Sequence, residues 1–333
     1  MSHVFVTRAL PGGAGAGSPM DRLHAACEVN LWAGDAPPST DELLARSEGV
    51  DGLLTMLTER IDGALLDARP SIRVVANMAV GYDNINVDAC TERGVLVTNT
   101  PGVLTDATAD MAWALLMAAA RRLPEGRTAI EDGSWGPWSP TWLLGADVTG
   151  TTLGIVGPGR IGAAMARRAQ GFEMRVVYSG RSAKPDFPGE FVSQDELLAT
   201  SDYVSVHVPL NDETRGMCDT AFFARMQSHA IFVNTSRGPV VDQPALLAAV
   251  ERGTIAGAGL DVMTPEPLPV DDPLLRAPGI VLAPHLGSAT PRTRTRMAHL
   301  AVDGLLAGLS AEDGVRPEHL VNPEALARSR GTR

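Results

Sequence analysis

The chain reads as an α/β protein built on doubly wound parallel sheets, and three observations predict this. Short β-branched runs alternate with longer helical patterns along nearly its whole length, the rhythm of βαβ units. A glycine-rich turn, Gly157-Pro158-Gly159-Arg160-Ile161-Gly162, stands between a strand pattern and a helical one. The 333 residues suffice for about two domains, each with a core of its own.

In order along the chain, strands are predicted at His3–Thr7, Glu28–Trp32, Gly52–Met56, Arg73–Asn77 and Val95–Asn99, the last ended by Pro101-Gly102. A helix is expected over Asp41–Ser47 with Thr40 as its cap. Pro11–Gly17 is a low-complexity tract whose glycines never meet the spacing of a phosphate-binding turn, so it reads as a flexible loop. Thr105–Arg122 reads as a long helix, acidic near its start and closed by Arg121-Arg122, a placement that suits the helix dipole. Its apolar run Met111–Ala120 is too short to span a bilayer and predicts a buried helix. Glu131–Gly145 is irregular and carries Trp135, Trp138 and Trp142, three of the five tryptophans. They are expected in the protein's own core, with subunit contact or a pocket wall as the alternative.

A second series follows, with strands at Thr152–Val156, Arg175–Tyr178, Tyr203–His207, Ala230–Asn234, Ala258–Asp261 and Ile280–Ala283. Six parallel strands with intervening helices are what a complete dinucleotide-binding domain requires. Pro291–Leu309 is helical and the tail beyond it polar.

Composition bounds the function classes. Apolar content of 44% and charged content of 20% are those of an ordinary folded, soluble protein. A formal net charge of −11 argues against a nucleic-acid partner, though a local cationic pocket for a small anion is compatible with it. Cys27, Cys90 and Cys218 are scattered and form no CxxC pair, which fits a reducing compartment and offers neither a disulfide framework nor a metal site. The opening MSHVFVTRAL lacks the plan of a signal peptide, so the expectation is a cytoplasmic protein with no membrane partner.

The turn at 157–162 is placed to hold a cofactor. Gly157 permits the tight turn, Gly159 lets a pyrophosphate approach the backbone, and Gly162 lets helix and strand pack closely. Arg160 and Ile161 begin the helix, where unpaired N–H groups and the positive dipole end meet phosphate. Pro158 supplies no N–H, which leaves open which amides face the ligand. The next strand ends in Tyr178-Ser179-Gly180-Arg181-Ser182, with Lys184 nearby. No carboxylate stands there to bind a ribose 2′-hydroxyl, whereas Ser179, Ser182 and Arg181 suit a 2′-phosphate. The prediction is NADP(H), with NAD(H) as the alternative and Arg181 then stacking on adenine.

Three polar residues fall just after the carboxyl ends of successive strands: Arg237 in NTSRG, Glu266 in DVMTPEP and His285 in APHLG. In an open α/β sheet ligands bind at that edge. Singly, each has an ordinary reading as a surface charge, a solvated carboxylate or a structural histidine. Together they supply what reduction of a 2-oxo acid demands, namely a carboxylate clamp, a polarised carbonyl and a proton donor. His207, on an apolar strand, reads as structural.

These segments resemble the D-isomer-specific 2-hydroxyacid dehydrogenases over nearly the whole chain, through VGPGRIG at 156–162, LLATSDYVSVHVPL at 197–210 and MQSHAIFVNTSRGPVVD at 226–242. Within that family GLDVMTPEPLP at 259–269, APHLGSATPRTR at 283–294, WSPTWLLG at 138–145 and the YSGRS strand end are most similar to glyoxylate/hydroxypyruvate reductases. Arg237, Glu266 and His285 match the family's catalytic set. The resemblance implies that Arg237 binds the substrate carboxylate and carbonyl oxygen, that His285 is the general acid, and that Glu266 pairs with His285 and favours its protonated form. It further implies that the Val80 and Gly81 amides in NMAVGYDNI complete the carboxylate site. Asp261 would bond the nicotinamide side of the cofactor, and Trp142 would reach the partner subunit's active site. The pocket wall should include the Leu54–Thr58 loop, with Met56 and Leu57 as a small apolar surface.

The implied architecture is two Rossmann-like doubly wound domains, the cofactor domain (102–287) inserted into a flavodoxin-like substrate domain (1–101 and 288–333), with hinges near Pro101 and Gly287. The helix at Thr105–Arg122 would then contribute to a homodimer. The implied function is NADPH-dependent reduction of glyoxylate or hydroxypyruvate to the D-2-hydroxy acid. A relative acting on another 2-oxo acid or on phosphite is the nearest alternative, and a dinucleotide-sensing, corepressor-like binding protein the alternative of another class. Glu266 stands where the formate-oxidising branch has glutamine, which sets that branch aside.

Overall fold

A computed structural model describes residues 1–329. The chain divides into two compact units, residues 1–104 with the chain from Ala289 onward, and Thr105–Ser288.

The first unit carries five strands, β1 (Ser2–Val6), β2 (Cys27–Leu31), β3 (Gly52–Thr55), β4 (Val74–Asn77) and β5 (Leu96–Thr98). All pair in parallel, in the order β2-β1-β3-β4-β5, which is the flavodoxin-like order. β3, β4 and β5 are buried along their whole length, so they read as continuous apolar runs rather than alternating ones. On one face Phe5, Leu53, Ile61, Val75 and Val97 form a core. On the other lies the helix Pro291–Leu309, which buries Met297, Ala301, Val302 and Leu305. Asn322 ties the following segment to β5, accepting from the Val97 N–H at 2.8 Å and donating to the Val95 carbonyl at 2.9 Å.

The second unit carries seven strands: β6 (Thr152–Val156), β7 (Arg175–Ser179), β8 (Glu190–Phe191), β9 (Tyr203–Val206), β10 (Ile231–Asn234), β11 (Gly257–Leu260) and β12 (Ile280–Leu282). Their order is β12-β11-β10-β9-β6-β7-β8, all parallel, with the reversal between β6 and β9. That is the doubly wound dinucleotide-binding order with one strand added. Successive residues of one strand feed opposite cores: Ile155 packs with Leu116, Met165 and Tyr178, and Val156 with Val206, Phe232 and Leu260.

Several expectations need correction. The helix starting at Thr40 is capped by Ser39, not Thr40: Ser39 Oγ accepts from the Glu42 N–H at 3.3 Å while Glu42 Oε2 accepts from the Ser39 N–H at 2.8 Å. A carboxyl at the third helical position thus selects Ser39 through a capping box. The long helix ends at Ala120, because Arg122 adopts φ 52 and a new helix, Leu123–Glu131, starts with Pro124 in its first turn. It is also buried on one face only, with Ala114 exposed and Trp113 and Met117 half-buried. The seventh strand, β8, is two exposed residues and carries no periodicity to predict it. Trp135, Trp138 and Trp142 are 63%, 87% and 44% exposed, so they lie outside the core of this chain. Among the described residues no helix is long and apolar enough to cross a membrane.

Candidate active site

β6 ends at Val156 and the helix Arg160–Ala169 begins three residues after Gly157. Gly157 has φ +99, and a Cβ there would lie 2.8 Å from the His207 backbone; a side chain is therefore excluded both by conformation and by space. Gly162 is packed just as closely, 2.5 Å from the Gly157 carbonyl oxygen by the same measure, whereas nothing lies within 4 Å of a Cβ on Gly159. The open side of the turn is the side a phosphate would occupy. Among the described residues the N–H groups of Arg160, Ile161 and Gly162 find no acceptor, as expected of a helix start without a side-chain cap. Pro158 fits without cost to this geometry: its ring packs where a Cβ on Gly180 would stand, 2.6 Å away.

The end of β7 is pinned from within. Tyr178, 2% exposed and in ring contact with Phe187 at 4.2 Å, uses its hydroxyl to donate to the Lys184 carbonyl and to accept from the Lys184 N–H. The loop 179–184 is thereby folded back over the strand end. Ser179 Oγ is buried there with no partner among the described residues, an orphan that a ligand oxygen would satisfy. Arg181 and Ser182 are exposed, and the Arg181 guanidinium makes no hydrogen bond or ion pair among the described residues. The turn and the strand end therefore fit a dinucleotide.

Beyond β10, Asn234 Oδ1 accepts from the Ser236 N–H at 2.9 Å and its Nδ2 donates to the Arg237 carbonyl at 3.0 Å. This Asx-type turn fixes the backbone that carries Arg237. Asp261 directly follows β11 and is 1% exposed; its Oδ1 and Oδ2 accept from the N–H groups of Leu286 and Gly287 at 2.6 and 2.7 Å. Burial pushes its carboxyl pKa up against the lowering effect of those two amides. His285 sits inside that clasp at φ 55, a region costly for a residue with a Cβ, and its N–H donates to the Asp261 carbonyl at 2.8 Å.

The three predicted polar residues come together here. His285 Nδ1 lies 2.8 Å from Glu266 Oε2, and Glu266 Oε1 accepts from the Met263 N–H at 3.0 Å. Burial works to raise the Glu266 pKa, but the His285 bond and charge, the Met263 N–H and the Arg237 charge hold it below the usual carboxylate value. With Nδ1 engaged, His285 Nε2 has no partner among the described residues. Both side chains are about a third exposed, 33% for His285 and 36% for Glu266. A solvent-reachable imidazole oriented by a carboxyl, beside a guanidinium, can deliver or accept a proton next to a bound anion. His207 Nε2 bonds Ser205 Oγ at 2.9 Å, and burial pushes its pKa down to about 4.

In the first unit, Val80 and Gly81 follow β4. The carbonyls of Ala79, Val80 and Gly81 are tied down by the Thr100 N–H at 2.8 Å, Asn99 Nδ2 at 2.8 Å and Asn77 Nδ2 at 2.9 Å. The Val80 and Gly81 N–H groups donate to no acceptor among the described residues. Fixed carbonyls beside such amides form a nest-like arrangement that can receive a small anion. The residues that build these platforms, Asn77, Asn99, Asn234 and Tyr178, were not predicted in that role; for the first three, an asparagine at a strand end is the trace they leave in the sequence. Trp142 lies apart, in the irregular stretch after the helix Leu123–Glu131, on a groove of about 510 Å³ shared with Leu123, Ile130, Trp135 and Leu143.

Residues 113–287 match the family model described as D-isomer specific 2-hydroxyacid dehydrogenase, NAD binding domain. The chain is 49% identical over 329 residues to a glyoxylate reductase of Korarchaeum cryptofilum, covering 97% of each. It is 44% identical to the human glyoxylate reductase/hydroxypyruvate reductase, covering 94% of this chain and 96% of that one. Among solved structures, an NADPH-dependent glyoxylate/hydroxypyruvate reductase of Sinorhizobium meliloti, in complex with NADP and malonate, superimposes with a TM-score of 0.83 at 31% identity, covering 97% of both chains.

Proposed function

The chain belongs to the D-isomer-specific 2-hydroxyacid dehydrogenases, NAD(P)-dependent oxidoreductases, and from that premise we propose that it reduces glyoxylate and hydroxypyruvate with NADPH. The 2.8 Å contact between His285 and Glu266 carries the proposal. With Glu266 accepting from Nδ1–H, the protonated imidazolium carries its second proton on Nε2, the atom offered to substrate. His285 Nε2 then donates its proton to the carbonyl oxygen, and takes it back in the reverse direction. Arg237 binds the carboxylate and carbonyl oxygen of the same acid, which holds the carbonyl carbon in place for attack. The Val80 and Gly81 amides would serve the carboxylate as well.

When bound, the nicotinamide supplies the hydride. The N–H groups of Arg160, Ile161 and Gly162 would hold its pyrophosphate, with Gly157 and Gly159 shaping the turn. Ser179, Arg181 and Ser182 would hold the 2′-phosphate that distinguishes NADPH. Asp261, already clasping Leu286 and Gly287, would meet the nicotinamide end with its remaining lone pairs.

The assembly we infer is a homodimer. Leu123, Ile130, Trp135, Trp138 and Leu144 are all exposed on one stretch of the second unit, the residue types that subunit interfaces cover. A second copy would cover it, and Trp142 would enter the active site of the partner subunit.

Steady-state rates with glyoxylate, hydroxypyruvate, pyruvate, a branched 2-oxo acid and phosphite, each with NADPH and NADH, test the reading. The expected result is the highest kcat/KM on the first two with NADPH. No turnover of either overturns the substrate assignment, and a clear preference for NADH overturns the cofactor assignment.

A further inference from the structure

Glu59 is 2% exposed and has no part in the chemistry above. It lies where the order of the five-stranded sheet reverses, between β1 and β3 at their carboxyl ends, the place where open α/β sheets receive ligands. Its Oε2 accepts from Thr7 Oγ1, just past β1, at 3.0 Å and from the Met56 N–H, just past β3, at 2.6 Å. Its Oε1 accepts from Thr58 Oγ1 at 2.6 Å. Two of these three bonds hold the short irregular loop 56–58, whose Met56 and Leu57 are half-buried and Thr58 exposed.

The same loop is held from its other side. Asn84 Nδ2 donates to the carbonyls of Met56 at 3.0 Å and Glu59 at 2.8 Å. Asn84 Oδ1 in turn faces Asn77 Nδ2 at 3.4 Å, and that nitrogen also donates to the Gly81 carbonyl at 2.9 Å. A continuous hydrogen-bonded path therefore joins Glu59, the 56–58 loop, Asn84, Asn77 and the amide nest at Val80-Gly81. A buried carboxyl is costly unless every oxygen is bonded. Here one backbone N–H and one hydroxyl of the 56–58 loop, together with the Thr7 hydroxyl at the end of β1, satisfy the carboxyl and order a loop that no strand or helix would otherwise hold.

We propose that Glu59 is a specificity-positioning residue, which latches the Met56–Thr58 loop and keeps it in register with the Val80-Gly81 amides. The loop then stands at a fixed height over the carboxylate subsite and sets the size of the 2-oxo acid admitted. This rests on the reading that those two amides bind the substrate carboxylate. A loosened loop costs affinity for the smallest acid most, because a small ligand has the fewest contacts to compensate.

The test compares full-length wild type with Glu59→Gln, Thr58→Val and, as a stability control, Asn322→Ala, whose side chain is equally buried in the same unit. The amide of Glu59→Gln turns an NH2 toward a donor, and Thr58→Val removes one latch bond alone. Glu59→Gln should raise KM for glyoxylate about tenfold with kcat within about threefold, and raise kcat/KM for a branched 2-oxo acid relative to glyoxylate about tenfold. Thr58→Val should move the same ratio in the same direction, and the Kd for NADPH should stay at the wild-type value in both. Asn322→Ala should lower Tm and leave the ratio alone. An unchanged ratio in both Glu59→Gln and Thr58→Val overturns the proposal, as does an equal change in Asn322→Ala. Wild type inactive on glyoxylate and hydroxypyruvate instead overturns the proposed substrates. The ratio is then read between the smallest and the branched acid that it does reduce, so the latch is decided separately.

Discussion

His285 combines three constraints that are rarely spent on one residue: a left-handed backbone, a carboxyl partner on Nδ1 and an Nε2 without a partner among the described residues. The strain is held by Asp261, whose carbonyl takes the His285 N–H and whose carboxyl takes the next two amides. His285→Ala should lower kcat by about 100- to 10,000-fold, the usual worth of a positioned general acid. Arg237→Ala should act chiefly on KM, and in both variants the thermal stabilisation by NADPH should persist in a melting assay. A His285→Ala enzyme nearly as fast as wild type would overturn His285 as the general acid. Arg237, Glu266 and His285 were legible because their side chains have few bland uses at three successive strand ends. Asn234, Asn77 and Asn84 were not, since an amide in a turn is ordinary until its partners are known.

At the scale of the element, the proposed cofactor preference rests on the end of β7. Tyr178 folds the 179–184 loop through two bonds to Lys184, so Ser179 stays buried while Arg181 and Ser182 face outward. Arg181→Ala should lower kcat/KM with NADPH about tenfold and leave that with NADH within about twofold, measured on the same 2-oxo acid. Equal losses with both cofactors would favour adenine stacking over phosphate binding. Eleven of the twelve strands coincide with β-branched and apolar runs in the sequence, most continuous where both faces are buried, as in β3, β4, β9 and β10. The exceptions are physical. Glu190–Phe191 is a strand only because Val177 and Tyr178 present an edge to it. The break at Arg122 follows from a left-handed residue that no propensity forecasts.

At the scale of the molecule, the exposed stretch from Leu123 to Leu144 is the feature a single chain leaves unexplained. Light scattering should give a particle of twice the mass of one chain. Ile130→Glu, which places a charge in the groove beside Trp135 and Trp142, should shift it toward the monomer and lower kcat with it. A dimer that persists at full activity in Ile130→Glu would locate the interface elsewhere. The tryptophans mark the limit of reading such a feature in advance: a large apolar side chain has the same signature whether its own core or another subunit buries it.

By itself the sequence determined the class of fold, the phosphate-binding turn and the three polar residues at the strand ends, because periodicity, glycine spacing and residue chemistry are local properties. Only the tertiary structure decided the two sheet orders, the clasp of Asp261 on Leu286 and Gly287, and the burial of Glu59 between β1 and β3. Each of these joins residues far apart in the chain, and hydrogen bonds of that kind become favourable only once the fold has removed their water.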